Sequence, residues 1–274
     1  MTTSDFVVIE RGEAPLLLSM PHVGTALPGD FERRFVSPWL ARRDADWHGE
    51  KLYGFARDLG ATIVRTTVSR SVIDLNRDPS GVSLYPGRAT TGLCPLDTFD
   101  GEPLYRPGEE PDDAEIARRR ADWFAPYHAA LAEEIARLRQ IHPKIVLYDC
   151  HSIRSTIPRL FPGLLPQFNL GTNSGAACAP ALTAAIAAPC AESRLGHVVD
   201  GRFKGGWITR HYGRPETGVH AIQMELAIRG YLPEPETIDE STWPIAFDPD
   251  FAAPLARTLR AALDGALAFA RSDR

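Results

Sequence analysis

Eight histidines and four unpaired cysteines set the terms on which this chain could hold a metal. Cys94, Cys150, Cys178 and Cys190 are scattered without a CxxC pair, so neither a thiolate zinc knuckle nor a disulfide framework is suggested. A metal would fall to His, Asp or Glu, the ligand types of a catalytic site with an open position. Two histidines stand out by position. His22 follows the apolar run Leu16-Leu17-Leu18, and His151 follows Ile145-Val146-Leu147-Tyr148 within Asp149-Cys150-His151-Ser152. The carboxyl end of a buried strand is where α/β sheets place their ligands. A single histidine there is more often a hydrogen-bonded strand-end residue, but two in matching positions weaken that reading.

A catalytic zinc needs a third protein ligand, and Asp44-Ala45-Asp46, ahead of a helical pattern, supplies two carboxylates. Acids in a first helical turn also cap amides and suit the helix dipole. The assignment made here is Asp46 as ligand and Asp44 as cap. Glu225 lies in Ile222-Gln223-Met224-Glu225-Leu226, where an ionised carboxylate is costly unless it faces a cation or a metal-bound water. It is the candidate general base; the competing reading is a glutamate on the polar face of an edge strand. His220 and His211 are next in line for that role. Arg70, Arg77, Arg154, Arg202 and Arg210 sit in or beside glycine-rich or strand-end segments, and guanidinium groups converging on one pocket would suit a dianionic substrate. For any one of them the alternative is a surface arginine, least so for the pair Asn76-Arg77, which follows the buried-looking run Val72-Ile73-Asp74-Leu75. The glycines of Gly201 to Arg210 lack the lysine spacing and helix start of a phosphate loop, so nucleotide binding carries little weight.

These residues need a frame. Short runs at Pro15 to Met20, Ala61 to Thr67, Lys144 to Tyr148 and His220 to Leu226 predict buried strands. Asp44 to Leu59 and Ala114 to Gln140 carry apolar residues at helical spacing, and further helices are expected at Pro180 to Ala188 and from about Phe251 to Phe269. Strand and helix alternate, which predicts a three-layer α/β/α fold, and 274 residues suit one domain spanning 1–274. The stretches Asp78 to Pro111 and Ser155 to Ala177 lack periodicity, and long loops inside a compact domain usually serve a site.

Composition excludes several classes. A net charge of −5 argues against general affinity for nucleic acid. The opening residues, MTTSDFVVIERGEAP, hold no apolar run of signal-peptide length, and no window reaches membrane-spanning length, so a cytoplasmic protein with no membrane partner is expected. The sequence leaves the oligomeric state open.

The motifs Ser19-Met20-Pro21-His22-Val23-Gly24, Asp44-Ala45-Asp46-Trp47-His48, Asp74-Leu75-Asn76-Arg77, Asp149-Cys150-His151-Ser152-Ile153-Arg154-Ser155 and Gly201 to Gly213 resemble the N-formylglutamate amidohydrolase (deformylase) family of histidine degradation. The resemblance runs over nearly the whole chain, through Leu84-Tyr85-Pro86-Gly87, Thr98-Phe99-Asp100-Gly101, Pro158-Arg159-Leu160-Phe161 and Asn169-Leu170-Gly171-Thr172-Asn173. One departure is Asp200, where Asn is expected before Gly-Arg-Phe-Lys. That family is similar in turn to the zinc carboxypeptidase and aspartoacylase group. The resemblance implies a mixed, mostly parallel sheet of the zinc-exopeptidase (phosphorylase/hydrolase-like) type and one zinc, or another divalent ion, on His22, Asp46 and His151. It implies Glu225 as general base, Arg70 at the substrate carbonyl, and Asn76 and Arg77 for a substrate carboxylate; with Arg70 so used, the arginine surplus leaves Arg77, Arg154, Arg202 and Arg210 for the two carboxylates. The expected reaction is hydrolysis of N-formyl-L-glutamate, a small acidic N-acyl amino acid. A related deacylase acting on another acyl group and a non-catalytic binder of acidic metabolites are the alternatives.

Overall fold

Seven strands form one sheet in the order β1-β3-β2-β4-β7-β5-β6. They are β1 (Val7–Glu10), β2 (Leu16–Met20), β3 (Thr62–Thr66), β4 (Ile145–Ile153), β5 (Phe168–Gly171), β6 (His197–Val199) and β7 (Val219–Ala227). The computed structural model describes residues 6–272. The first five residues, on which part of the leader reading rests, lie outside the described residues. The central strands β3, β2, β4 and β7 are mutually parallel, β1 pairs antiparallel with β3, and β5 runs antiparallel to β7 with β6 parallel to β5. The sheet is therefore mixed and mostly parallel, as expected. β2 and β4 are neighbours whose onward connections leave in opposite directions, a switch point of the kind that opens a crevice at the carboxyl ends.

All four strands read from the sequence are present, and β2, β4 and β7 are buried along their whole length because both faces of the sheet are covered. Strand period two sorts their side chains between two cores. Leu16, Leu18, Val146, Tyr148, Ile222 and Met224 join one cluster with α3 (Pro180–Glu192) and α5 (Pro249–Arg271). Leu17, Val64, Ile145, Leu147 and Ala221 join the other with α2 (Ala125–Ile141), so the three layers are as predicted. The four cysteines are free and buried, Cys94 in the second cluster and the other three in the first, and burial raises each thiol's pKa.

Two helices depart from expectation. The Asp44 to Leu59 pattern does not run through: His48 adopts a left-handed conformation (φ 61°), leaving an α turn at Gly49–Leu52 and a 3-10 turn at Gly54–Arg57. The break lets Asp46 turn in, its N–H donating to the His22 carbonyl at 3.0 Å. The long predicted helix is α1 (Asp113–Arg119) joined to α2 by a π turn at Arg120–Phe124. α3 runs past Pro189 because Cys190 is packed in the core there. The strands β1, β5 and β6 and the helix α4 (Trp207–Tyr212) carry too short an apolar pattern to be read in advance. Among the described residues no helix is long and apolar enough to cross a membrane.

Candidate active site

His22 stands two residues beyond β2, His151 near the end of β4, and Glu225 beside it on β7, with His151 and Glu225 as register partners. Glu225 therefore lies on an interior strand, which rules out the edge-strand reading. Period two puts Asp149, His151, Gln223 and Glu225 on the face that carries Ile145, Leu147, Val219 and Ala221 below.

The three expected ligands meet. One ligand atom each of His22, Asp46 and His151 lies within 4.8 Å of the others, and all three residues are buried. His151 Nδ1 is 3.2 Å and His22 Nδ1 3.9 Å from Asp46 Oδ2. His22 Nδ1 and Asp46 Oδ1 are buried with no hydrogen-bond partner, an expensive arrangement for a protein interior unless a cation takes their lone pairs. Outer carboxylates fix both rings from behind. His22 Nε2 lies 2.6 Å from Asp74 Oδ1, and His151 Nε2 lies 2.9 Å from Asp149 Oδ2. With Nε2–H given to a carboxylate, His22 turns a bare Nδ1 to the centre, while His151 points there an Nδ1 that shares a proton with Asp46 Oδ2 and would give that proton up on ligating a metal. Burial, helped by the charge on Arg70, holds His22 at about 4, so its ring is neutral. Burial works the same way on His151 but is outweighed by Asp149 and Asp46, which raise it well above the usual range. These donors and these orphaned atoms fit a divalent cation.

Asp74 does more than orient a ring. It accepts from Arg70 at 2.6 Å and from the Asn76 N–H at 2.9 Å, lies 3.5 Å from Arg77, and is fully buried. Burial alone would raise its pKa, but Arg77, His22 and Arg70 hold it well below the usual carboxylate range. Burial also opposes the charge on Arg70, yet Asp74 and Asp46 keep that guanidinium firmly protonated. Asn76 is equally committed: Nδ2 donates to Asp149 at 2.9 Å, and Oδ1 accepts from the Ile208 N–H at 2.7 Å at the start of α4. Gly206 permits this approach, since a Cβ there would sit 2.4 Å from Asn76 Nδ2. Asn76 thus ties β4 to α4 and lines the cavity without a free amide.

A cavity opens in front of the triad. It is lined by His22, Arg70, Asn76, Arg77, His151, Arg202, Gln223 and Glu225, with Tyr85, Phe99 and residues 89–91 from the loops. Asp46 faces a second, smaller cavity behind the triad, with Tyr53, Cys150, Ser152 and Tyr231. Burial raises Glu225 to about 7, against the lowering effect of His151 and Arg70. A carboxylate poised near neutrality at a cavity wall suits proton transfer.

The comparisons with known proteins decide the family. The model of the N-formylglutamate amidohydrolase family matches residues 14–232. The chain belongs to this family. An N-formylglutamate deformylase from Pseudomonas aeruginosa is 48% identical over 263 residues, 96% of each chain. A protein of the same name from Pseudomonas putida is 45% identical over 260 residues, 94% of each chain. Two solved structures share the fold: an N-formylglutamate amidohydrolase from Ralstonia eutropha, with TM-score 0.78 at 24% identity over 97% of this chain and 98% of that one, and a gene product from Agrobacterium tumefaciens, with TM-score 0.71 at 18% identity over 97% and 95%.

Within this amidohydrolase-family chain, two of the expected arginines are placed elsewhere. Arg154 pairs with Asp100 at 2.5 Å and lies 3.8 Å from Asp44, outside the cavity lining. Arg210 donates to the Gly205 carbonyl and is likewise not part of that lining. Asp44 starts no helix; it closes the short turn Leu40–Arg43, and its side chain accepts the Phe99 N–H at 2.7 Å. His220 accepts from the Ala179 N–H, His211 stacks on Trp207, and neither lines the cavity. Asp200 takes a left-handed backbone (φ 51°) and accepts from the backbone and hydroxyl of Thr172. The residues not foreseen are Asp74, Asp149, Gln223, Tyr85 and Phe99. For the two aspartates a signal is present, an acid inside an apolar run, the same signal that marks Glu225.

Proposed function

We propose that this chain hydrolyses N-formyl-L-glutamate to formate and L-glutamate, using one divalent cation, zinc in the first instance, held by His22, Asp46 and His151. The observation that carries the reading is the convergence of three ligand atoms within 4.8 Å, with His22 Nδ1 and Asp46 Oδ1 buried and without partners, beside a carboxylate raised to about 7. The names of the Pseudomonas relatives, at 48% and 45% identity over nearly the full length, supply the substrate. A cation held by His22, Asp46 and His151 would supply Lewis acidity, to polarise the formyl carbonyl and acidify a nearby water.

The protein's own groups do the rest. Glu225 takes a proton from the attacking water as its oxygen bonds to the formyl carbon, then returns that proton to the amide nitrogen as the C–N bond breaks. Arg70, buried and held by Asp74, donates to the oxygen on which negative charge develops. Asp74 and Asp149 keep the two imidazoles in the ligating tautomer. Arg77 and Arg202 line the same cavity and serve the two carboxylates of the substrate, each by charge-assisted hydrogen bonds. Arg154, paired with Asp100, takes no part in that recognition.

The test is formate release from N-formylglutamate beside the N-acetyl and N-succinyl analogues and N-formylaspartate, on protein stripped with chelator and then resupplied with zinc. Formate is expected from N-formylglutamate first, only after metal is restored. No formate from metal-loaded protein would refute the substrate, and full turnover of thoroughly stripped protein would refute the cation.

A further inference from the structure

The segment Leu84-Tyr85-Pro86-Gly87 is absorbed by no step above, yet Tyr85 lines the cavity. It lies in the stretch Asp78 to Gly92, which contains neither helix nor strand and turns back on itself at Gly81 and Gly87, both in the left-handed region that glycine tolerates. Such a stretch stays in place only through side-chain ties to the body. Tyr85 supplies two of them: its hydroxyl donates to the Gly205 carbonyl and accepts from the Lys204 N–H, both at 3.1 Å. Arg202 supplies another, donating to the Ala89 carbonyl at 2.9 Å while its Nε donates to the Leu160 carbonyl at 2.7 Å.

The same ring also organises charge. The guanidinium carbons of Arg202 and Arg210 lie 5.4 and 5.2 Å from the Tyr85 ring centroid, within the range of cation–π attraction. Among the described residues neither arginine forms an ion pair with a carboxylate, so no acidic side chain offsets either guanidinium, and Arg202 lines the cavity. Carbonyl oxygens and an aromatic face orient a guanidinium without neutralising it, the state needed to receive an anion.

We propose that Tyr85 is the positioning residue for recognition of the substrate's side-chain carboxylate. Its ring aims Arg202 into the cavity, and its hydroxyl locks residues 78–92 onto the Lys204-Gly205 turn. Discrimination between an acidic and a neutral side chain thus depends on a residue that carries no charge of its own. This rests on the substrate reading above.

The experiment compares wild type, Tyr85→Phe, Tyr85→Leu, Arg202→Gln and the Tyr85→Leu/Arg202→Gln pair. For each, kcat and KM are measured on N-formylglutamate and N-formylglutamine, and amide hydrogen exchange is followed across residues 78–92. Tyr85→Leu is expected to lower the preference for N-formylglutamate about tenfold, mainly through KM, and to speed exchange in the segment. Tyr85→Phe keeps the ring and most of the preference but loses the hydroxyl ties, so its segment exchanges faster. In the Arg202→Gln background Tyr85→Leu should add little to KM, because the group it aims is gone. An unchanged preference or unchanged exchange in Tyr85→Leu overturns the proposal, as does full additivity of the pair. Metal-loaded wild type that fails to turn over N-formylglutamate refutes the substrate instead, and the exchange measurement still decides whether Tyr85 locks residues 78–92 in place.

Discussion

At the ends of β2 and β4 the imidazoles of His22 and His151 are each gripped from behind by a carboxylate that solvent does not reach, whereas across the cavity Arg202 ends on backbone carbonyls of loops and Arg77 on Thr91, with Asp74 no nearer than 3.5 Å. The first wall starts from paired strands, where register sets His151 beside Glu225 and β2 ends two residues short of His22, and buried carboxylates from irregular segments complete it. The second is built on segments without regular structure, where position depends on a few side-chain ties. Bond making and breaking demand the fixed geometry; choosing among substrates of one class tolerates the adjustable one.

The comparison breaks most visibly at the rigid wall. His22→Ala or His151→Ala should abolish nearly all zinc binding and lower activity by roughly a thousandfold or more, since several kcal/mol of charge stabilisation leave with the ion. Metal analysis of purified protein beside the formate assay checks this, and a variant with full metal content and normal turnover would remove that histidine from the ligand set.

Glu225→Gln separates chemistry from metal holding. It should retain zinc and lose about a hundredfold to ten-thousandfold in kcat, because an amide cannot carry the proton. The pH profile supplies the sign. Burial raises Glu225 to about 7, so the ionised base accumulates only above that pH, and kcat/KM should fall as pH drops through it. A bound dication favours the ionised form and moves this limb to lower pH. An acid limb that persists unchanged in the Gln variant would assign it to another group.

The outer carboxylates give the next largest effect. Asp149→Asn and Asp74→Asn should each weaken zinc about tenfold to a hundredfold in a chelator competition. They should part company on kcat: Asp74 also holds Arg70, so its loss should lower turnover at saturating zinc more than the loss of Asp149 does. Equal kcat in the two would show that Arg70 needs no such anchor.

On the adjustable wall the expected changes are smaller and fall on KM. Arg202→Gln should raise KM for N-formylglutamate about tenfold to a hundredfold and leave zinc content unchanged. Arg154→Gln, by contrast, should leave KM nearly unaltered, since its guanidinium already has Asp100. A matching KM rise in both would return Arg154 to the substrate.

Sequence patterning carried far on the rigid wall and less far on the other. His22, His151 and Glu225 announce themselves because a polar group at or near the end of an apolar run has few cheap explanations, and β2, β4 and β7 are indeed buried from end to end. Asp46 was harder, since the helical pattern around it is interrupted by the left-handed backbone at His48, which no periodicity reports. The arginines were the least legible. Arg154 and Arg202 both lie in glycine-flanked or strand-end segments, and only the spatial neighbour, Asp100 for one and carbonyl oxygens for the other, separates a structural ion pair from a free charge. Loop residues such as Tyr85 and Phe99 acquire their roles from distant partners, Lys204 and Gly205 for one and Asp44 for the other, and local sequence holds no trace of these.

The four sequestered thiols amount to a pair of clocks. A thiol reacts as the exposed thiolate, and each of these is both covered and raised in pKa, so iodoacetamide must wait for the protein to open. Cys94 lies in the layer packed by α2, and Cys150, Cys178 and Cys190 lie in the layer packed by α3 and α5. The order in which mass spectrometry finds them alkylated therefore tells which face of the sheet lifts first, and whether the two faces open as one unit or separately.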